Sequence, residues 1–267
     1  MAQRRKKKIG VIGYGQIGSS LCEQLNQDLR GDMEVACIHE SSPEVMAKVP
    51  KKLAAASVEE MLNLGLDLVV EAAHPEAVRR YAGMVLARAD LMIMSVSAMG
   101  DERLEEAIKG ACQRHGTHLY IPHGATLGLD GLRDGLSLWE EVSITMRKNP
   151  RNLNFNAALH LKPAEGVGEV VLYDGPTRGI LPLFPKNVNS HATLALATLG
   201  LDKTRSILVS DPRLEESVIE IDAKGGGTSI HIERRNPIKG VTGKLTILSV
   251  VQSLRNIVGD EGFLRTC

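Results

Sequence analysis

The feature that most constrains this chain is Gly13-Tyr14-Gly15-Gln16-Ile17-Gly18, a G-x-G-x-x-G. It lies between a short β-branched run at 8–12 and a segment at 19–29 in which Leu21, Cys22, Leu25 and Leu29 recur at helical spacing. In that strand–turn–helix context each glycine has a separate task. Gly13 permits the tight turn, Gly15 lets backbone approach a diphosphate, and Gly18 lets the helix pack on the strand. The amides from Gly15 through Gln16, Ile17 and Gly18 open the helix toward an anion, because the first turn of a helix has unpaired N–H groups. An acidic residue is expected at the end of the second strand, and Glu40 stands there. Its carboxylate suits ribose hydroxyls and repels a 2′-phosphate. The cofactor is therefore NAD or NADP, with NAD favoured; the neighbouring His39 imidazole keeps NADP open.

The rest of the first half repeats the alternation. Strands are expected at 34–39, 67–72, 91–96 and 118–121. Helices are expected at 57–64, with Ser57 and Glu60 as a capping box, at 75–87 and at 102–115. Strand–helix alternation implies right-handed crossovers and a parallel sheet. After about Gly124 the pattern changes. Strands are expected at 139–147, 154–161, 169–173, 207–210, 218–223 and 228–234, with one clear helix at 189–199 and a turn at Gly225-Gly226-Gly227. The fold class is α/β: a Rossmann-type parallel-sheet domain over 1–125, opening on a basic tail at 1–7, then a smaller α+β domain with a mixed sheet over 126–240. A last helix within 241–267 packs back on the first domain.

Composition narrows the partners. Lys plus Arg equals Asp plus Glu at 32 each, and aromatics are 3%. Neither a general pull toward nucleic acid nor a base-stacking surface is expected. The one basic run, Arg4 to Lys8, reads as a solvated entrance to the first strand. No apolar stretch is long enough for a membrane span or signal peptide. Cys22, Cys37, Cys112 and Cys267 are scattered, which suits a reducing cytoplasm and gives no metal site.

Several later motifs matter together. They are Asp67 to Ala73 followed by Ala77-Val78; Ser95-Val96-Ser97-Ala98; Ile121-Pro122-His123-Gly124-Ala125; Gly128-Leu129-Asp130; Phe184-Pro185-Lys186-Asn187-Val188-Asn189 running into Ala192-Thr193-Leu194-Ala195; and Asp211-Pro212. In this order and spacing the chain resembles the L-aspartate dehydrogenase family. The resemblance implies a Rossmann domain with a smaller α+β domain, a homodimer, and NAD(P)-dependent interconversion of L-aspartate and iminosuccinate, in some members for NAD biosynthesis. It implies dinucleotide contacts at Ala125 and Asn189, with Ala73 and Ser97 in the same set of motifs. The family's catalytic histidine falls in an Asn-x-His triplet that reads Ser217-Val218-Ile219 here, and Ile219 cannot exchange a proton. His123 and His191 stand where small residues are usual. The loop before the last helix is altered to Gly240-Val241-Thr242-Gly243-Lys244.

Three readings follow from Ile219. His191 or His123 supplies the imidazole from another backbone position, on an amino or imino acid other than aspartate. Lys186 or an ordered water serves an amino-acid dehydrogenase of lower rate. Or the chain binds dinucleotide as a sensor or interaction protein without turnover. Reduction of a cyclic imine is a fourth reading, by analogy of fold alone. Elsewhere His74 lines the cofactor groove at most, His231 faces solvent, and Trp139, Met92 and Met94 pack in cores.

Overall fold

Ile9, Gly10, Val11 and Ile12 are all buried, so both faces of the first strand are covered, as a central parallel strand requires. This strand, β1 (Lys7–Ile12), belongs to a computed structural model that describes residues 5–27, 32–237 and 244–258. Two compact units make up the chain. The first contains β1, α1 (Gln16–Asn26), β2 (Met33–His39), α2 (Pro43–Met46), α3 (Val58–Leu62), β3 (Leu68–Glu71), α4 (Pro75–Leu86), β4 (Asp90–Ile93), α5 (Glu102–His115) and β5 (Leu119–Tyr120). Its five strands are parallel in the order β2-β1-β3-β4-β5. The expected Rossmann-type sheet is present. Because β2 lies on one side of β1 and β3 on the other, the connections diverge at the carboxyl ends of β1 and β3, where open α/β sheets bind their ligands.

Local chemistry sets the element ends. Ser57 accepts from the Glu60 amide at 3.1 Å, and the Glu60 carboxylate accepts from Ala56 rather than Ser57, so the expected capping box is displaced by one residue. Asp101 caps α5 through the Arg103 and Leu104 amides, and Gly116, left-handed at φ 65°, ends it. The fourth strand stops at Ile93, short of the expected 96. The Ser95 amide donates to the Glu71 carboxylate at 3.0 Å, and Val96–Gly100 winds into a 3-10 turn. The basic run is partly structural: Lys7 and Lys8 enter β1, and the Asp67 carboxylate accepts from Lys7 Nζ at 3.2 Å and from the Lys8 amide at 2.9 Å.

The second unit takes in Val96–Gly100 and His123–Thr246. It contains α6 (Leu129–Asp134), β6 (Glu141–Lys148), β7 (Val170–Pro176), α7 (Thr177–Ile180), α8 (Asn189–Ala197), β8 (Arg205–Ser210), β9 (Glu216–Gly225) and β10 (Thr228–Pro237). Its sheet runs β10-β9-β6-β8-β7, parallel only between β6 and β8, which is the mixed sheet expected. Three departures stand out. The strand expected at 154–161 is absent. Asn154 Oδ1 accepts from the Asn156 amide, Asn187 Oδ1 accepts from the Asn154 amide, and Leu159–Leu161 is a 3-10 turn, so side chains take the backbone groups a ladder would need. Leu159 is 70% exposed, which breaks the apolar alternation. Two short helices, α6 and α7, join α8. Trp139 precedes β6 instead of opening it, because its Nε1 donates to the Leu132 carbonyl at 2.6 Å.

One face of this sheet is buried. Val142, Ile144, Met146 and Lys148 of β6 face the same way as Ser217, Ile219, Ile221 and Ala223 of β9, and α8 packs on β6. The last helix, α9 (Lys244–Val258), returns its residues from Ile247 onward to the first unit. There Val250, Val251 and Leu254 join the core of Ile9, Val11, Leu21 and Leu25. The turn at 225–227 uses Gly226 and Gly227 at φ 55° and 78°, as a tight hairpin demands.

Candidate dinucleotide and substrate sites

In the first unit the three glycines meet three different surroundings. Gly13 has φ 97°, and a Cβ there would lie 2.8 Å from the Ala72 carbonyl oxygen. A Cβ on Gly18 would lie 2.1 Å from the Gly13 carbonyl oxygen. A Cβ on Gly15 would meet nothing within 4 Å. Gly13 and Gly18 are thus closed by the fold itself, and Gly15 alone faces open space. Gly15 is also the N-cap of α1, with no side-chain cap and no acid in the first turn, so the amides of Gln16, Ile17 and Gly18 begin the helix with no carboxylate competing for them. This cradle fits a dinucleotide diphosphate.

Glu40 stands beside the cradle. One carboxylate oxygen accepts from the Tyr14 amide at 2.8 Å, and the other accepts from the Ser42 amide at 2.9 Å and the Ser41 hydroxyl at 3.4 Å. Burial acts to raise its pKa, but the donations from Ser42, Tyr14 and Ser41 outweigh it and hold the carboxyl below its ordinary value. A cavity of 290 Å³ adjoins it, lined among others by Glu40, Ser41, Ser57, Arg80 and Tyr81. The Arg80 guanidinium lies 5.1 Å from the centroid of the Tyr81 ring. His39, nearly buried, sets Nδ1 3.2 Å from the Ala55 carbonyl and its ring edge-on to Tyr81, so its place is packing in this wall. Arg80 and Tyr81 carried no signal in the sequence, being two residues within an ordinary amphipathic helix.

Glu71 ends β3 and is 1% exposed. Its carboxylate accepts from the Ala73 amide at 2.8 Å, the Ser95 amide at 3.0 Å and the Ser95 hydroxyl at 2.8 Å. Burial pushes its pKa up despite those donors. The side chain straps the turn after β3 to the turn after β4 and so places Ala73. His74 caps α4, its Nδ1 accepting from the Glu76 amide at 3.3 Å.

The second unit holds the other group of sequence-derived candidates. The Ser97 amide donates to Asn189 Oδ1 at 3.0 Å, and its hydroxyl donates to the Pro185 carbonyl at 2.7 Å. Arg234 Nη1 donates to the Ala125 carbonyl and the Thr126 hydroxyl donates to the Ser190 carbonyl, both at 3.4 Å. Ser97, Asn189 and the segment at Ala125 are therefore tied to one support around the start of α8. Asn187 pins the loop at 152–154. Lys186 and His123 are exposed. His231 is exposed as expected and pairs with Asp222 at 2.8 Å, which raises its pKa. Trp139 and Met92 are buried and Met94 is partly buried against the core of the first unit.

His191 is 0% exposed, and neither ring nitrogen has a hydrogen-bond partner among the described residues. Burial, with the Lys148 charge adding to it, pushes its pKa down to about 3, so the ring is neutral near pH 7. Lys148, the last residue of β6, is 8% exposed, and burial followed by the Arg234 charge pushes its pKa down to about 8. Ile219 is 4% exposed on the same buried face, opposite Met146 on one side and Arg234 on the other. Sequence reasoning missed Lys148 and Arg234. The signal for Lys148 was present: it continues the apolar parity of Val142, Ile144 and Met146, where a solvated lysine does not belong.

Residues 131–257 match the family described as aspartate dehydrogenase, C-terminal, and residues 13–122 match homoserine dehydrogenase, NAD binding domain. An L-aspartate dehydrogenase of Methanosarcina acetivorans is 32% identical over 94% of this chain and 97% of its own length. An aspartate dehydrogenase domain-containing protein of Xenopus tropicalis is 31% identical over 100% of both. The crystal structure of an aspartate dehydrogenase from Thermotoga maritima superposes with a TM-score of 0.78 at 23% identity, covering 98% of this chain and 100% of that one. The chain belongs to the aspartate dehydrogenase family of NAD(P)-dependent oxidoreductases.

Proposed function

We propose that this protein oxidises the amine of L-aspartate with NAD, giving iminosuccinate, NADH and a proton, the imine then hydrolysing to oxaloacetate and ammonia. What carries the reading is the amide-lined bend open at Gly15 beside an anionic Glu40, in a chain whose relatives are L-aspartate dehydrogenases. When bound, the nicotinamide accepts the hydride from the substrate α-carbon. The chain's own part is to bind and orient. The Gly15 to Gly18 amides take the diphosphate. Glu40, fixed by Tyr14 and Ser42, takes ribose hydroxyls and disfavours a 2′-phosphate, which supports NAD over NADP. Ala73 and Ser97 border the dinucleotide, and Ala125 and Asn189 hold its nicotinamide end.

Of the three groups read as catalytic, His191 is assigned a neutral role. A ring with a pKa near 3 does not store a proton at pH 7, but it donates one N–H and accepts at its other nitrogen. His123 and Lys186 are both exposed. Ile219 contributes no proton transfer, and the substrate-facing end of this fold relies on other groups. The test is NADH absorbance with NAD or NADP and a panel of amino acids. NADH formation with L-aspartate supports the reading. Turnover of another amino acid alone overturns the substrate, and dinucleotide binding without turnover of any overturns the reaction.

A further inference from the structure

At one end of the buried face of the second sheet, buried polar groups without partners among the described residues lie beside two poorly solvated cations. Lys148 ends β6, and Ser210, its register partner, ends the adjacent β8. Among the described residues the Lys148 ammonium makes no hydrogen bond or ion pair, and the buried Ser210 hydroxyl has no partner. Across the other neighbour, β9, Arg234 of β10 stands opposite Ile219, one step diagonal to Lys148 on the same face. Arg234 is half-buried, and its one hydrogen bond among the described residues is a long contact to a carbonyl, not to a carboxylate. His191 of α8, which packs on β6, adds two fully buried ring nitrogens that bond to no described residue. The charges feel one another: Arg234 acts on Lys148, and Lys148 acts on His191.

Buried polar groups are nearly always satisfied, and a buried cation without a counter-ion is costly. Here two cations and two unsatisfied neutral donors converge with no carboxylate among the described residues to meet them. We infer that Lys148 and Arg234, completed by the neutral His191 ring and the Ser210 hydroxyl, form a receptor for a carboxylate of the substrate. This rests on the reading of the chain as an amino-acid dehydrogenase and names the side chains that select a dicarboxylate. A carboxylate supplies the counter-charge and up to four acceptor positions, and it matches an ammonium, a guanidinium and two neutral donors without moving a proton. Ile219 forms the apolar floor between them and keeps water from screening the contact.

The test is succinate, a dicarboxylate with no amine to oxidise, titrated calorimetrically into the NADH-loaded protein. Lys148→Met should lower succinate affinity at least about 30-fold, the effect of removing one partner of a desolvated charge pair. NADH affinity should stay within about threefold of wild type. The uncharged succinamide should not compete. If Lys148→Met fails to fold, Arg234→Met is scored by the same two measurements and decides. Succinate binding within threefold of wild type in a variant that still binds NADH overturns the receptor, as does succinamide binding as tightly as succinate. The outcomes separate from those of the proposed reaction. Loss of succinate binding in a protein that turns over no amino acid sinks the reaction and keeps the receptor. Aspartate turnover with an unchanged KM in Lys148→Met does the reverse.

Discussion

Replacing Lys148 with methionine should make the ligand-free protein more stable at neutral pH, and the gain should fade as pH rises. Methionine keeps the length and apolar stem of lysine and removes only the charge. The folded-state pKa of Lys148 is depressed from 10.5 to about 8, by burial first and the Arg234 charge second. Below pH 8 both folded and unfolded chains carry the proton, and the full penalty of burying it is present. Between 8 and 10.5 the folded chain gives the proton up while the unfolded chain keeps it, so wild-type stability climbs with pH. At 1.36 kcal/mol per pKa unit the penalty at pH 7 is about 3 kcal/mol, falling below about 1 kcal/mol at pH 10. For a protein of this size that is a rise in Tm of roughly 6–12 °C at pH 7. The groups facing Lys148 do not cancel it. Arg234 on β10 is cationic, His191 on α8 is neutral, Ser210 on β8 is uncharged, and the nearby Asp211 carboxylate is taken by Arg213 at 2.9 Å. Paired urea denaturations of wild type and Lys148→Met at pH 7 and pH 10 measure the difference, and effects common to both proteins drop out. A variant less stable than wild type at pH 7, or a gain equal at both pH values, would refute the reasoning.

Four further outcomes are expected. Gly15→Ala should leave Tm unchanged, because its Cβ meets nothing within 4 Å, yet weaken NADH binding at least about tenfold by fluorescence titration. Gly18→Ala should instead cost about 2 kcal/mol or more in denaturant unfolding, since its Cβ falls 2.1 Å from a backbone oxygen. Glu40→Ser should lower NAD affinity about tenfold and raise NADP affinity, through loss of a charged acceptor and of a repulsive charge. His191, whose pKa falls from 6.5 to about 3 on folding, should make the protein acid-labile, because stability is lost as pH drops below 6.5. At pH 4.5 the loss is about 3 kcal/mol, and His191→Gln should abolish that share of the acid unfolding measured by circular dichroism.

How much of this was legible follows from the range of the interactions. The glycine bend could be read because it is set within one strand–turn–helix unit, where a backbone angle or a helix terminus demands a residue type, and the place of Glu40 and the parallel sheet because strand–helix alternation repeats along the chain. Helix α5 was legible for the same reason, with Asp101 before it and Gly116 after it. The false strand at 154–161 has apolar residues at plausible spacing, but its backbone is claimed by Asn154 and by Asn187, more than thirty residues away. No local pattern contains that competition. The fourth strand was overrun for a similar reason, its end being drawn off by Glu71 from the neighbouring strand. The Lys148 cluster needs the register of four strands, β8, β6, β9 and β10, and a helix laid over them, so only its parity within β6 could be seen in advance.

Glu71 and Lys148 show that burial of a charged side chain has two different meanings in this protein. Each lies at the carboxyl end of a strand, where open sheets place ligands. Glu71 has both oxygens filled by the Ala73 amide, the Ser95 amide and the Ser95 hydroxyl, so its partners all come from the chain and its work is to hold two turns in place. Removing it would free backbone groups and loosen the turns at Ala73 and Ser95. Among the described residues Lys148 has no such partners, and neither does the Ser210 hydroxyl beside it or the His191 ring, so removing the lysine relieves the folded chain. A side chain whose loss stabilises the fold is not retained by the fold. The free energy withheld from stability at Lys148 is regained only when an anion arrives, and a low-dielectric site with its cations already fixed loses little further order in binding one. Ile219 fits that logic. A polar side chain there would offer Lys148 or Arg234 an internal partner and weaken the demand for an external one, whereas isoleucine leaves both cations waiting.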